Sequence, residues 1–170
     1  NGKNQKVASI TVGTSGTFNG LTNTSATLST LTIEGSSNAT FTGVIGTATN
    51  VSNLSGSGNN EALTLSSNNT GTLTLSGSNT YTGGTTINGG TLKNGANEVL
   101  ENSGAVTING GTWDLNGKNE DIGVLTLKSG TINSATGNIN PSSTIVESGT
   151  INAIISGGHS FTKNNSGTVY

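Results

Sequence analysis

Gly71-Thr72-Leu73 is the first of six copies of one phrase. Gly90-Thr91-Leu92, Gly111-Thr112-Trp113, Gly130-Thr131-Ile132, Gly149-Thr150-Ile151 and Gly167-Thr168-Val169 also read Gly-Thr-apolar. Successive copies lie 19, 21, 19, 19 and 18 residues apart. Such a period is too long for a coiled-coil heptad and too short for a helix pair or a propeller blade. It matches one turn of a solenoid, in which each coil buries its apolar face only by stacking on its neighbours.

Aligning the coils on this phrase exposes two apolar columns. The residue after Thr gives Leu73, Leu92, Trp113, Ile132, Ile151 and Val169. Five residues before it stand Ile87, Ile108, Leu127 and Val146. These ten residues are the expected core ladder. Between the columns lie short polar stretches with glycine, such as Asn88-Gly89-Gly90 and Lys128-Ser129-Gly130. Each coil therefore reads strand, corner, strand. Within the strands, as in Thr72-Leu73-Thr74-Leu75, apolar residues alternate with threonine, which points them inward and the hydroxyls outward. The pattern predicts an all-β chain: a single-stranded parallel β-helix (β-solenoid) with coils of about 18–23 residues.

Composition agrees. Thr, Gly, Asn and Ser supply 104 of the 170 residues, and only 29% are hydrophobic. Disorder couples such polarity to high net charge and many prolines, but here the net charge is -2 and there is one proline, Pro141. Threonine favours strands, while glycine and asparagine favour turns. A thin core along an axis needs fewer apolar residues than a compact one. Absence of cysteine excludes disulfides and thiolate metal sites. The six lysines are scattered and there is no arginine, so no basic patch exists for nucleic acid. Asn164-Asn165-Ser166-Gly167-Thr168-Val169 copies Asn68-Asn69-Thr70-Gly71-Thr72-Leu73, so the last residues open another coil, as in a fragment of a longer repetitive protein. Residues 1–66 read as less regular coils continuous with regular ones over 67–170.

Residues 71–92 read GTLTLSGSNTYTGGTTINGGTL. The stretch resembles the passenger-associated transport repeat, also called the autotransporter-associated β-strand repeat, of bacterial autotransporters. Gly71, Asn79, Tyr81, Thr82, Gly83, Gly84, Thr85 and Ile87 carry the likeness. The resemblance implies a β-helical passenger displayed outside a Gram-negative cell by type V secretion, with the repeat associated with export and folding. The partners it implies are the adjacent coils of a longer parent chain and an outer-membrane β-barrel translocator. The alternative is an adhesin or filament subunit, whose partner is a host glycan, a cell surface or another copy of the chain.

Catalytic constellations are sparse. Glycoside hydrolysis generally needs two carboxylates about 5–9 Å apart. The candidate pairs are Glu98 with Glu101 and Glu120 with Asp121, Asp114 joining from a neighbouring coil. All five read more simply as ordinary acids of solvated loops. His159, the one histidine, sits in a Gly-Gly-His-Ser turn and cannot build a metal site alone. Trp113 falls in the inward column, which favours core packing over sugar stacking. The outward column Thr72, Thr91, Thr112, Thr131, Thr150 and Thr168 suggests an ice-binding array, but the neighbouring column is interrupted by Lys93 and Asp114. The sequence thus predicts a structural stalk segment without enzyme activity, cofactor or metal.

Overall fold

Runs of alternating threonine and aliphatic residues, separated by glycine corners, fold here into strands stacked in parallel. The computed structural model describes residues 5–7, 20–21, 28–46 and 60–164. Thirteen strands follow in order: β1 (Gln5–Val7), β2 (Gly20–Leu21), β3 (Ser29–Gly35), β4 (Ala39–Phe41), β5 (Val44–Ile45), β6 (Glu61–Asn69), β7 (Thr72–Leu75), β8 (Thr85–Ile87), β9 (Thr91–Asn94), β10 (Val106–Asp114), β11 (Glu120–Val146), β12 (Thr150–Ile155) and β13 (Ser160–Lys163). No helix occurs among the described residues. The strands form a β-solenoid of about five turns.

On the first side, β1, β3, β6, β8 and β10 pair in that order, all parallel. Ile33, Leu65, Ile87, Ile108 and Leu127 fall in register there. The Glu147 amide donates to the Leu127 carbonyl at 2.8 Å, carrying the stack on to Val146. On the second side, β4, β7, β9, β10, β11 and β12 align Ala39, Leu73, Leu92, Trp113, Ile132 and Ile151. All of these inward aliphatics and Trp113 are buried except Ala39 and Ile151, which pack against the core while partly exposed. Val169 and the sixth phrase lie outside the described residues.

Threonines stack on threonines outside. Thr72, Thr91, Thr112, Thr131 and Thr150 form one ladder, and Thr32, Thr64, Thr86, Thr107 and Thr126 another. The corner between the two sides explains the recurrent glycine of the phrase. Gly90, Gly130 and Gly149 have φ of +61°, +92° and +118°, a region that disfavours any residue with a Cβ. At Gly111 the reason is proximity instead: a Cβ would lie 2.6 Å from Ile87 Cγ2 on the preceding coil.

A third side departs from the strand–corner–strand expectation. It carries Ile45, Asn79, Val99, Leu100, Glu120, Ile122 and Ile139, all buried. Ile45 lies on the short β5 and Glu120, Ile122 and Ile139 on the long β11, but Asn79, Val99 and Leu100 lie outside strands. Side chains replace part of the ladder hydrogen bonding here.

Each inward aliphatic is a rung touching the coils on both sides. Leu92→Ala should therefore leave a cavity between β7 and β10 and lower stability by about 2–5 kcal/mol. Equilibrium urea unfolding monitored by Trp113 fluorescence checks this; a change below about 1 kcal/mol would contradict the stacked core.

Candidate functional site

Residues 71–87 place two kinds of group between coils: glycines where backbones approach, and buried polar side chains where backbone groups need partners. Gly71 N–H donates to the Gly35 carbonyl at 3.3 Å, and a Cβ there would collide with the Ser37 carbonyl. Gly83 N–H donates to the Glu61 carbonyl at 2.7 Å, and a Cβ would approach that oxygen to 2.5 Å. Gly84 has φ of +79° and turns the chain into β8, where Thr85 N–H donates to the Ala105 carbonyl of the next coil at 2.8 Å. Thr82 is exposed and Ile87 fully buried.

Asn79 is the side chain on which the third side turns. It is buried, and its Oδ1 accepts from Ile45 N–H at 2.7 Å. Its Nδ2 donates to the Val99 carbonyl at 2.6 Å and to the Gly77 carbonyl at 3.0 Å. One amide thus satisfies backbone groups of the coil before and the coil after. Tyr81, also buried, shares a 2.6 Å hydrogen bond with Thr85 Oγ1. Burial pushes its phenol well above the usual tyrosine range; the Thr85 bond opposes the shift and the Glu120 charge adds to it.

A second buried network follows the repeat. Trp113 Nε1–H donates to Asn94 Oδ1 at 2.9 Å, and Asn94 Nδ2–H donates to Glu120 Oε2 at 2.6 Å. Glu120 also accepts from two backbone amides, Val99 N–H at 3.1 Å and Leu100 N–H at 2.6 Å. Burial raises its carboxyl from an ordinary value near 4.5 to about 7; the hydrogen bonds from Leu100, Val99 and Asn94 oppose this, and the charge of Glu98 adds to it. Glu61 is likewise buried, which raises its carboxyl to about 7. Neither of its carboxylate oxygens has a hydrogen-bond partner among the described residues.

The expectation of a solvated Glu120 is therefore overturned. Alternation along β11 turns Glu120 inward, with 1% of its surface exposed, and leaves Asp121 outside. The remaining candidate acids hold local backbone or a surface ion pair. Glu98 Oε2 accepts from Asp121 N–H at 3.0 Å, and Glu101 Oε2 accepts from Ser103 N–H at 2.9 Å. Asp114 Oδ1 accepts from Asn116 N–H at 2.8 Å, while Oδ2 lies 3.5 Å from Lys93 Nζ. His159 is half-buried rather than a free turn residue, its Nε2 lying 3.0 Å from Thr144 Oγ1. Among the described residues no three His, Asp or Glu side chains gather in a metal-binding group. The sequence singles out Trp113 but not its acceptor Asn94. That partner was recoverable, since Asn94 follows Leu92 at the inward period of two and a buried indole N–H needs an acceptor.

Residues 68–93 match the family model of the passenger-associated-transport-repeat. This segment is similar to that repeat. No curated protein and no solved structure matches the chain. The match encloses the 71–92 stretch and begins three residues earlier, at Asn68. Within the transport repeat, the glycines set how closely coils approach and Asn79 joins them chemically.

Removing the Asn79 side-chain amide would strand the Ile45 N–H in the interior at a cost of about 1–3 kcal/mol, while the Val99 carbonyl would keep the Asn79 backbone N–H at 3.2 Å. Asn79→Ala should thus lower stability by about 1–3 kcal/mol, more than Thr42→Ala, an exposed position where substitution stays within about 0.5 kcal/mol of the parent chain. Paired urea titrations of the two variants check the contrast.

Proposed function

We propose that this chain is a load-bearing segment of a secreted passenger stalk, and that its transport repeat acts as a folding template during export. The repeat and the solenoid fit an autotransporter passenger stalk, and the repeat family implies secretion or surface display by Gram-negative bacteria. The observation that carries the templating role is the position of Asn79, bonded to Ile45 of the coil before and Val99 of the coil after.

The mechanism follows from quasi-one-dimensional architecture. Each coil contacts only its neighbours, so folding nucleates at an ordered coil and propagates to the next. The repeat offers paired strands on both flanks: β8 lies between β6 and β10, and β9 between β7 and β10. A segment emerging from a translocator would dock on this edge, and each docked coil would oppose backward sliding. Ordered coils outside the membrane thus convert folding free energy into directional transport. The chemistry required is hydrogen bonding and burial, which the repeat supplies.

Export kinetics test the role. With the chain placed ahead of an outer-membrane β-barrel translocator in a Gram-negative host, deletion of residues 71–92 should slow appearance at the surface several-fold. Asn79→Ala should slow it less. Display is read by protease accessibility of whole cells over time. Unchanged rates for the deletion would refute a role in export while leaving the fold intact as a finding.

A further inference from the structure

Two sets of polar side chains recur coil by coil on the outside of the third side, and they differ in what they leave unused. Asn97, Asn119 and Asn138 are engaged between coils. Asn97 Oδ1 accepts from Asn119 N–H at 3.0 Å, Asn119 Oδ1 accepts from Asn138 N–H at 3.2 Å, and Asn138 Nδ2–H donates to Ser156 Oγ at 2.9 Å. This set is a seam of the solenoid. Asn102, Asp121 and Asn140 also recur at intervals of 19 residues, and all three are exposed. One side-chain bond joins them: Asn140 Nδ2–H donates to Asp121 Oδ1 at 3.2 Å. Among the described residues Asp121 Oδ2, Asn140 Oδ1, the Asn102 amide and the exposed Ser142 hydroxyl have no hydrogen-bond partner.

These four side chains line one groove of about 420 Å³. That volume falls in the range of small-molecule sites, about 300–1,000 Å³. Buried Ile122 and Pro141 add apolar surface to the lining. His159 stands beside them, its Nε2 held 3.0 Å from Thr144 Oγ1. The chemistry of the lining selects its occupant. No lysine lines the groove, so a phosphate, sulfate or carboxylate finds no countercharge there. A divalent cation would meet a single carboxylate, and no three His, Asp or Glu side chains gather among the described residues. What the groove offers is donors and acceptors together, on amide, hydroxyl and carboxylate groups, with carbon between them. A neutral ligand dense in hydroxyl groups uses all of these, because each hydroxyl both donates and accepts.

We propose that this groove binds a neutral oligosaccharide through Asn102, Asp121, Asn140 and Ser142. Asp121 Oδ2 accepts from a sugar hydroxyl, the strongest of the contacts because the acceptor is charged. The two amides and Ser142 take neighbouring hydroxyls, and sugar carbons lie against Ile122 and Pro141. The polar partners come from successive coils, which lie about 4.8 Å apart. They therefore form a row along the solenoid axis, which favours an extended chain of sugars over a single ring. The groove is open to solvent, so binding is weak and exchanges fast. Its residues all follow the segment that matches the transport repeat, so the site stands independently of the templating role.

Protein NMR on the whole chain decides the matter. The probes are maltotriose, cellotriose, mannotriose and triacetylchitotriose, each titrated to tens of millimolar. At least one should move the side-chain amide signals of Asn102 and Asn140 and the backbone signals of Asp121 and Ser142 in a saturable way, leaving Thr72–Leu75 in place. Asp121→Asn is an exposed change that keeps an oxygen for Asn140, and it should weaken this binding on the order of tenfold by removing the charged acceptor. Asp114→Asn, which removes the same charge on the second side, should leave the affinity unchanged. Absence of saturable shifts with every probe, shifts confined to another face, or equal weakening by both variants overturns the proposal. Saccharide binding abolished by a metal chelator also overturns it, because the sugar would then be held by an ion instead of by these side chains.

Discussion

Parallel backbone hydrogen bonding between successive coils governs everything else in this molecule. Once one coil lies on the last at the spacing of adjacent strands, about 4.8 Å, every side chain is placed over its counterpart. The consequence is a set of ladders, not a compact jigsaw. Leucine and isoleucine stack on each other inside, threonine on threonine outside, and glycine recurs where a corner must take positive φ or where backbones meet. A chain with 29% hydrophobic residues can afford this core because each rung is buried by two neighbours at once.

The same constraint explains the polar interior of the third side. Asn79, Val99 and Leu100 lie outside strands there, so backbone amides and carbonyls would be left without ladder partners. Leaving such groups unsatisfied costs more than placing a hydrogen-bonding side chain among them. Asn79 and Glu120 occupy those positions, and Asn94 joins Glu120 to the indole of Trp113. Amides do this without charge. A carboxyl does it by accepting three N–H bonds at once, strengthened by an interior that also penalises its charge. The buried polar groups of the repeat and of the coil after it are thus structural seals, in contrast to the surface acids Glu98, Glu101 and Asp114, which organise turns or pair with lysine.

For the stalk proposed above, this division of labour has a mechanical meaning. The aliphatic ladder supplies non-directional cohesion that tolerates exchange of leucine for isoleucine from coil to coil. The polar seals are directional and fix the register in which a new coil docks. The segment that matches the transport repeat carries both, with a strand neighbour on each side of β8 and β9, as the proposed templating role requires.

The sequence by itself determined the solenoid, its period, the two ladders and the corner glycines. Those features repeat with the coil, and a period-2 alternation locked to a recurrent Gly-Thr phrase has one economical physical solution. It also marked residues 71–92 as a transport repeat and Trp113 as core. It did not reveal the third side, where Asn79, Val99 and Leu100 stand outside any alternating strand, nor the inward turn of Glu120, which a neighbouring aspartate and a polar setting disguise as a surface acid. Only the tertiary structure could decide these, because they depend on which backbone groups from coils about twenty residues apart are left without partners. That depends on how the coils stack in space and is not written in any local stretch of the chain.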